Sequence, residues 1–158
     1  MPEQVAPTYF LDSSAIAKRY IEETGTAWVE ALCILDAPKV IALAQIGVVE
    51  VAAALAARWR SNQLDSAEYE EALDDFLSDL EQYQLVAADP VVIDNAVQLT
   101  RRQKLRGCDA IQLASALSLH QALLKDDLPG ITFVCADDDL LTAAAAEGLA
   151  TENPNLHS

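Results

Sequence analysis

Asp12, Glu50, Asp109 and Asp137 each interrupt or border apolar sequence, and together they form a candidate metal centre. Asp12 closes the run Tyr9-Phe10-Leu11, and Asp137 closes the run from Ile131 to Ala136. Glu50 lies within the stretch from Ile46 to Leu55, and Asp109 opens an alanine- and leucine-rich segment that extends through Leu117. A carboxylate in apolar surroundings is costly unless water, a cation or a hydrogen-bond donor compensates it. The nearest basic residue downstream of Glu50 is Arg58. If the four side chains converge, a divalent cation is the simplest compensating charge. An all-oxygen ligand set suits Mg²⁺ or Mn²⁺ better than zinc. Only His120 and His157 could supply imidazole, so a histidine zinc site is not expected.

Positioning these acids requires strands that end beside helices that begin. Residues 7 to 11 are expected to form a buried strand, followed by a helix from Ser13 to about Ile21 with Ser13 or Asp12 as its cap. A second helix is expected from Thr24 to Leu35, with Trp28 in the core, and a strand at Val40 to Leu43. Helices from Ala44 to Asn62 and from Asp65 to about Tyr83 make a hairpin at about 44–83, the second arm burying Tyr69, Leu73, Phe76, Leu77 and Leu80. Leu85 to Ala87 is a short strand candidate, and Pro90 suits the first turn of a helix reaching about Arg102. Gly107 precedes the Asp109 helix, which continues to about Leu124, and Pro129-Gly130 signals a turn before the strand from Ile131 to Ala136. A last helix spans about Asp139 to Glu147, capped by Asp139 and stopped by Gly148, and Leu149 to Thr151 adds an edge strand. Alternating strands and helices imply a three-layer α/β/α arrangement around a central parallel sheet. In such sheets ligands bind beyond the carboxyl ends of the strands, where Asp12 and Asp137 are expected.

With 158 residues, one domain is expected, its core running from about residue 8 to 154. Lacking a long apolar span and a basic-then-apolar start, the chain is expected to be soluble and cytoplasmic, without membrane association. Cys33, Cys108 and Cys135 stand in apolar contexts without metal-ligand spacing and are expected to be buried, reduced thiols. His120 is expected on a helix surface or at a dimer contact, and His157 in a tail. The net charge of −15 argues against unspecific phosphate binding by the whole surface. No lysine or arginine falls between Arg60 and Arg101, whereas Arg58, Arg60, Arg101, Arg102, Lys104 and Arg106 flank that acidic segment. They can form a local positive rim, or simply solvate helix ends.

Four segments resemble the signatures of PIN-domain ribonucleases, above all the VapC-like toxins of toxin–antitoxin pairs. They are Phe10-Leu11-Asp12-Ser13-Ser14-Ala15, Val49 to Leu55, Leu105 to Ala114 and Val134-Cys135-Ala136-Asp137, in the order that family requires. The resemblance runs from about Thr8 to Pro154. It implies a PIN-like fold in which Asp12, Glu50, Asp109 and Asp137 hold Mg²⁺ or Mn²⁺ and Ser14 supports the metal or phosphate. It also implies endonucleolytic hydrolysis of RNA, a homodimer and an antitoxin protein that covers the acids.

Three of the acids also have an ordinary structural use, Asp12 and Asp109 as helix-start residues and Asp137 as the end of a strand, whereas Glu50 between apolar neighbours is harder to explain that way. Two other functions bear consideration. One is a non-catalytic binding module that keeps the fold. The other is a phosphotransfer enzyme or receiver domain: the haloacid-dehalogenase type needs a second aspartate where Ser14 stands, and a receiver needs an acidic pair at its first strand and a lysine after its last long strand, neither of which is evident.

Overall fold

The computed structural model describes residues 5–34 and 37–157. Five parallel strands form one sheet: β1 (Thr8–Leu11), β2 (Val40–Ala44), β3 (Gln84–Val86), β4 (Ile131–Val134) and β5 (Ala150–Glu152), in the order β3-β2-β1-β4-β5. The chain builds outward from β1 to β3, then returns to place β4 on the other side of β1. The order therefore reverses between β1 and β4, and a crevice at their carboxyl ends is the topological consequence.

Among the described residues seven helices cover the sheet: α1 (Ser13–Ile16), α2 (Thr26–Ile34), α3 (Gln45–Arg60), α4 (Ser66–Asp79), α5 (Pro90–Arg102), α6 (Gly107–Lys125) and α7 (Asp138–Ala146). Successive strand residues point to opposite faces. Phe10, Ala42 and Phe133 pack with Leu99, Leu113 and Leu140 from α5, α6 and α7. Leu11, Leu43 and Val134 pack with Ile16, Val29, Val51, Leu55 and Phe76 from α1 to α4. The sheet is thus buried on both sides, as a parallel sheet requires. Phe10 and Phe133 stack across the β1–β4 register with ring centroids 5.8 Å apart.

Several boundaries follow from capping. Asp65 and Glu68 form a reciprocal capping box at the start of α4, and Asp89 caps α5 ahead of Pro90. Gly148 adopts φ +96° after α7, the left-handed conformation that ends a helix at little steric cost. Other expectations need correction. The helix after β1 is only Ser13–Ile16 and tightens into a 3-10 turn at Ala17–Arg19. Asp137, not Asp139, caps α7, because the strand ends at Val134 and leaves Asp137 at the helix entry. Leu77 is exposed, and Ala72 packs in the α4 stripe instead. Cys108 is exposed in the first turn of α6. The expected Leu35 end of the second helix lies outside the described residues.

Both histidines have contacts that the sequence did not suggest. His120 Nδ1 accepts a hydrogen bond from Ile131 N at 3.1 Å, tying α6 to the start of β4. A side chain at Gly130 would collide with that imidazole. His157 stacks on half-buried Trp28 at 4.6 Å, so the tail is pinned to α2. Among the described residues, no helix is long and apolar enough to cross a membrane.

Candidate active site

β1 and β4 deliver Asp12 and Asp137 to the same edge. Asp12 N donates to Val134 O at 3.1 Å, so the first acid is registered against the end of β4. The residue is 3 % exposed. Oδ1 accepts from Ser14 Oγ at 2.7 Å and from Ala15 N at 3.0 Å, and Oδ2 accepts from Cys135 Sγ at 3.3 Å. Burial, aided by the charge of Asp109, pushes its pKa up to about 6 against the opposing effect of these three donors. The same burial, together with the Asp12 carboxylate, raises the Cys135 thiol and keeps it a donor.

The backbone leaves β4 through side-chain contacts. Ala136 N donates to Ser14 Oγ at 3.1 Å, and Asp137 N donates to Cys135 Sγ at 3.2 Å. Asp137 Oδ1 then accepts from Asp139 N at 2.9 Å and Leu140 N at 3.1 Å, capping α7. Ser14 therefore holds the first acid while fixing the approach to the fourth.

Helices α3 and α6 supply the other two acids. Asp109 stands in the first turn of α6, where the helix dipole favours negative charge. Even so its pKa is raised, first by burial, then by the charges of Asp137 and Glu50, with Arg106 opposing. Glu50, on α3, accepts from Gln112 Nε2 at 2.7 Å. Gln112 lies three residues after Asp109, on the same face of α6, and is 1 % exposed. Gly47 lets the two helices approach, since a Cβ there would come within 3.2 Å of Gln112 Nε2. Gln112 Oε1 is buried without a hydrogen-bond partner among the described residues.

Asp109 is thus within electrostatic reach of the other three acids. Among the described residues, no lysine or arginine forms an ion pair with any of the four. Nor do three acidic, histidine or cysteine side chains among those residues close into a metal cage. Asp12 is held by its donors, Asp137 is turned toward its helix and Glu50 is held by Gln112. An oxygen-only donor set, like charge that Arg106 offsets only in part and the orphaned Gln112 oxygen all fit a hard divalent cation.

The sequence-derived basic rim divides. Arg58 Nη2 donates to Glu23 Oε2 at 3.0 Å, and Lys18 Nζ donates to Glu23 Oε1 at 3.1 Å. Both cations line a cavity of about 250 Å³ shared with Ser14, Glu50 and Ala136. Arg102 instead pairs with Glu147 at 2.8 Å, one residue past the end of α7 opposite to Asp137. Arg101 Nη1 donates to Gln98 Oε1 on its own helix, while Arg60, Lys104 and Arg106 are exposed. A larger concavity, about 410 Å³, lies between α2 and α4 and contains none of the four acids. There Arg19, Tyr20, Asp79 and Tyr83 satisfy one another.

Lys18, Glu23, Gln112 and Cys135 escaped the sequence-based choice of site residues. Gln112 was within reach, because an amide amid alanine and leucine raises the same question as Glu50. Lys18 follows Ala15-Ile16-Ala17 and carries a similar signal.

This arrangement, a switch-point crevice lined by acids with helices on both sheet faces, defines a PIN-like domain. The chain is 33% identical over 145 residues to Ribonuclease VapC45 of Mycobacterium tuberculosis strain CDC 1551 / Oshkosh, covering 90% of this chain and 92% of that protein. The same figures hold for Ribonuclease VapC49 of strain ATCC 25618 / H37Rv. The chain belongs to the VapC ribonuclease family. The fold agrees with FitAB bound to an IR36 DNA fragment, with a TM-score of 0.64 at 18% identity, over 92% of this chain and 94% of that one. A toxin–antitoxin complex from Klebsiella pneumoniae matches with a TM-score of 0.61 at 16% identity, over 92% and 97% of the two chains. No family model matches the chain.

Proposed function

We propose that this chain is a Mg²⁺- or Mn²⁺-dependent endoribonuclease acting as the toxin of a cytoplasmic toxin–antitoxin pair. The observation that carries it is the acid edge: Asp12 and Asp137 follow the ends of the paired strands β1 and β4, and Asp109 lies close enough for the charges of Asp137 and Glu50 to raise its pKa. Like charge kept together, with Arg106 offsetting it only in part and no ion pair to any of the four acids among the described residues, is poised for an external cation. Asp12, Glu50, Asp109 and Asp137 would hold the ion. When bound, Mg²⁺ or Mn²⁺ supplies charge neutralisation at the phosphodiester and a lowered pKa for an attacking water.

The chain's own groups have separable tasks. Ser14, Ala15 N and the Cys135 thiol orient the Asp12 carboxylate, and Gln112 orients that of Glu50. Asp109, whose pKa lies above the usual carboxylate range, is a stronger base than an ordinary aspartate and can accept a proton from water. Arg58, Arg60, Lys104 and Arg106 are candidates for RNA phosphate contacts, while Arg101 is bonded to Gln98 on its own helix. Arg102 can join them only by leaving Glu147.

Two partners follow. The solved relatives include a toxin–antitoxin complex, which supports an antitoxin here. A basic antitoxin side chain entering among the acids would compete with metal and substrate. Val91, Ile93 and Val97 are exposed on α5 beside an apolar hollow formed with Ala110 and Ile111 of α6, which supports a homodimer. Sedimentation equilibrium at micromolar concentration tests that dimer, and a monomer throughout would refute it.

The activity test is cleavage of RNA by the purified chain with Mn²⁺ and with EDTA. Cleavage that requires Mn²⁺ is the expected result. Cleavage undiminished by EDTA would refute metal dependence, and no cleavage at saturating Mn²⁺ would favour the non-catalytic module.

A further inference from the structure

Resting on the ribonuclease reading above, we propose that the cavity bounded by Lys18, Glu23 and Arg58 is a phosphate subsite. It would take a backbone phosphate of the RNA strand flanking the bond held at the acids. The cavity measures about 250 Å³, and its wall includes Ser14, Glu50 and Ala136. Ser14 bonds Asp12 directly, and Ala136 adjoins Asp137, so the cavity abuts the acid edge.

Its charge is unusual for this molecule. The chain carries −15 overall, yet here two cations share one carboxylate. Lys18 is 4 % exposed, and lysine is rarely buried to that degree without a specific partner. Glu23 is that partner, but it accepts from Arg58 as well, through its other oxygen. An ammonium has three donors and a guanidinium five. Among the described residues Lys18 Nζ donates to one acceptor, and the Arg58 guanidinium donates to one. The wall is balanced, two cations against Glu23 and Glu50, but both cations keep spare donors beside the proposed reaction centre. Glu50 is the other charge in its wall, which disfavours an anion until a cation at the acids offsets it.

Shape narrows the ligand further. Small-molecule sites usually enclose roughly 300–1,000 Å³, so this space suits a phosphate with part of its ribose better than a whole free nucleotide. Lysine contributes a point charge and arginine a planar fork, a pair suited to one tetrahedral anion.

The test is binding of a fluorescent single-stranded RNA hexamer to the full chain in Ca²⁺ at several salt concentrations, with strand integrity read on a gel. Lys18→Met keeps the aliphatic stem and is expected to weaken binding about tenfold. The slope of log affinity against log salt should shrink by ~0.7, the value for one lost single-strand contact. Lys18→Arg should retain most of the affinity, and Glu23→Gln should tighten binding by removing the competing carboxylate. Wild-type affinity and slope in Lys18→Met would overturn the subsite. So would a Glu23→Gln protein that melts lower but binds unchanged, since that describes a purely structural ion pair. If Lys18→Met does not fold, Glu23→Gln decides alone. A wild-type chain that binds through Lys18 yet leaves RNA intact with Mn²⁺ would refute the ribonuclease reading and leave the subsite standing.

Discussion

Two acidic regions of this molecule contain the same side chains under opposite conditions. On α4, Glu70, Glu71, Asp74 and Asp75 are exposed to water. At the carboxyl edge of the sheet, Asp12 is buried and Asp109 half-buried, and both have raised pKa values. Water screens the α4 charges at little cost, so their abundance says little about function. The edge acids keep a destabilising proximity that hydrogen bonds only partly offset. Retained repulsion at a topological switch point, rather than acid content, is what marks the site.

The largest expected effect separates the two regions by activity. Asp12→Asn or Asp109→Asn should reduce Mn²⁺-dependent RNA cleavage at least ~100-fold, because the ligands act as a unit. Glu71→Gln with Asp74→Asn should leave cleavage and melting temperature nearly unchanged. Equal losses in both variants, in a cleavage assay with melting curves alongside, would erase the contrast.

Stability against pH sharpens it without metal. A carboxyl raised from 3.8 to about 6 on folding binds more protons in the native state. Its favourable contribution is therefore complete below about pH 3.8 and lost as pH rises through about 6. Asp12→Asn removes this dependence. In EDTA the variant should gain about 2 kcal/mol relative to wild type between pH 4 and pH 7.5, by the usual conversion of a pKa shift. Urea titrations at the two pH values measure the gain, and a constant difference would contradict the burial of an ionising Asp12.

A smaller effect is expected one contact further out. Gln112→Leu removes the donor that orients Glu50 and should weaken Mn²⁺ binding roughly tenfold, as loss of supporting contacts to ligands commonly does. The smallest concerns Arg101→Ala with Arg102→Ala. Arg102 is half-exposed and engaged with Glu147 at the far end of α7, so cleavage and its salt dependence should change little. A marked loss of cleavage with a shallower salt slope would show that the RNA path crosses this end of the molecule.

The sheet and its helices were legible because burial on both faces leaves continuous apolar strands, and because Asp65, Pro90 and Gly148 act through local chemistry. Boundaries at the site were harder to read. Ala136 and Asp137 leave β4 with their N–H groups bonded to Ser14 and Cys135, contacts more than a hundred residues apart or made through sulfur. Asp137 thereby became the cap that sequence alone assigned to Asp139. The four acids stood out individually, but the electrostatic reach of Asp109 depends on how α3 and α6 pack at Gly47. Lys18 stayed hidden because its partner Glu23 becomes adjacent only after the helix following β1 tightens into a 3-10 turn.

Calorimetric titration of Mn²⁺ into wild type, Asp109→Asn and the Glu71→Gln, Asp74→Asn variant, in one buffer, addresses the shared cation site most directly. The expected result is at least ~10-fold weaker binding in Asp109→Asn and unchanged binding in the α4 variant. Wild-type affinity in Asp109→Asn, or an equal loss in the α4 variant, would contradict a single cation site built from the acids at the sheet edge.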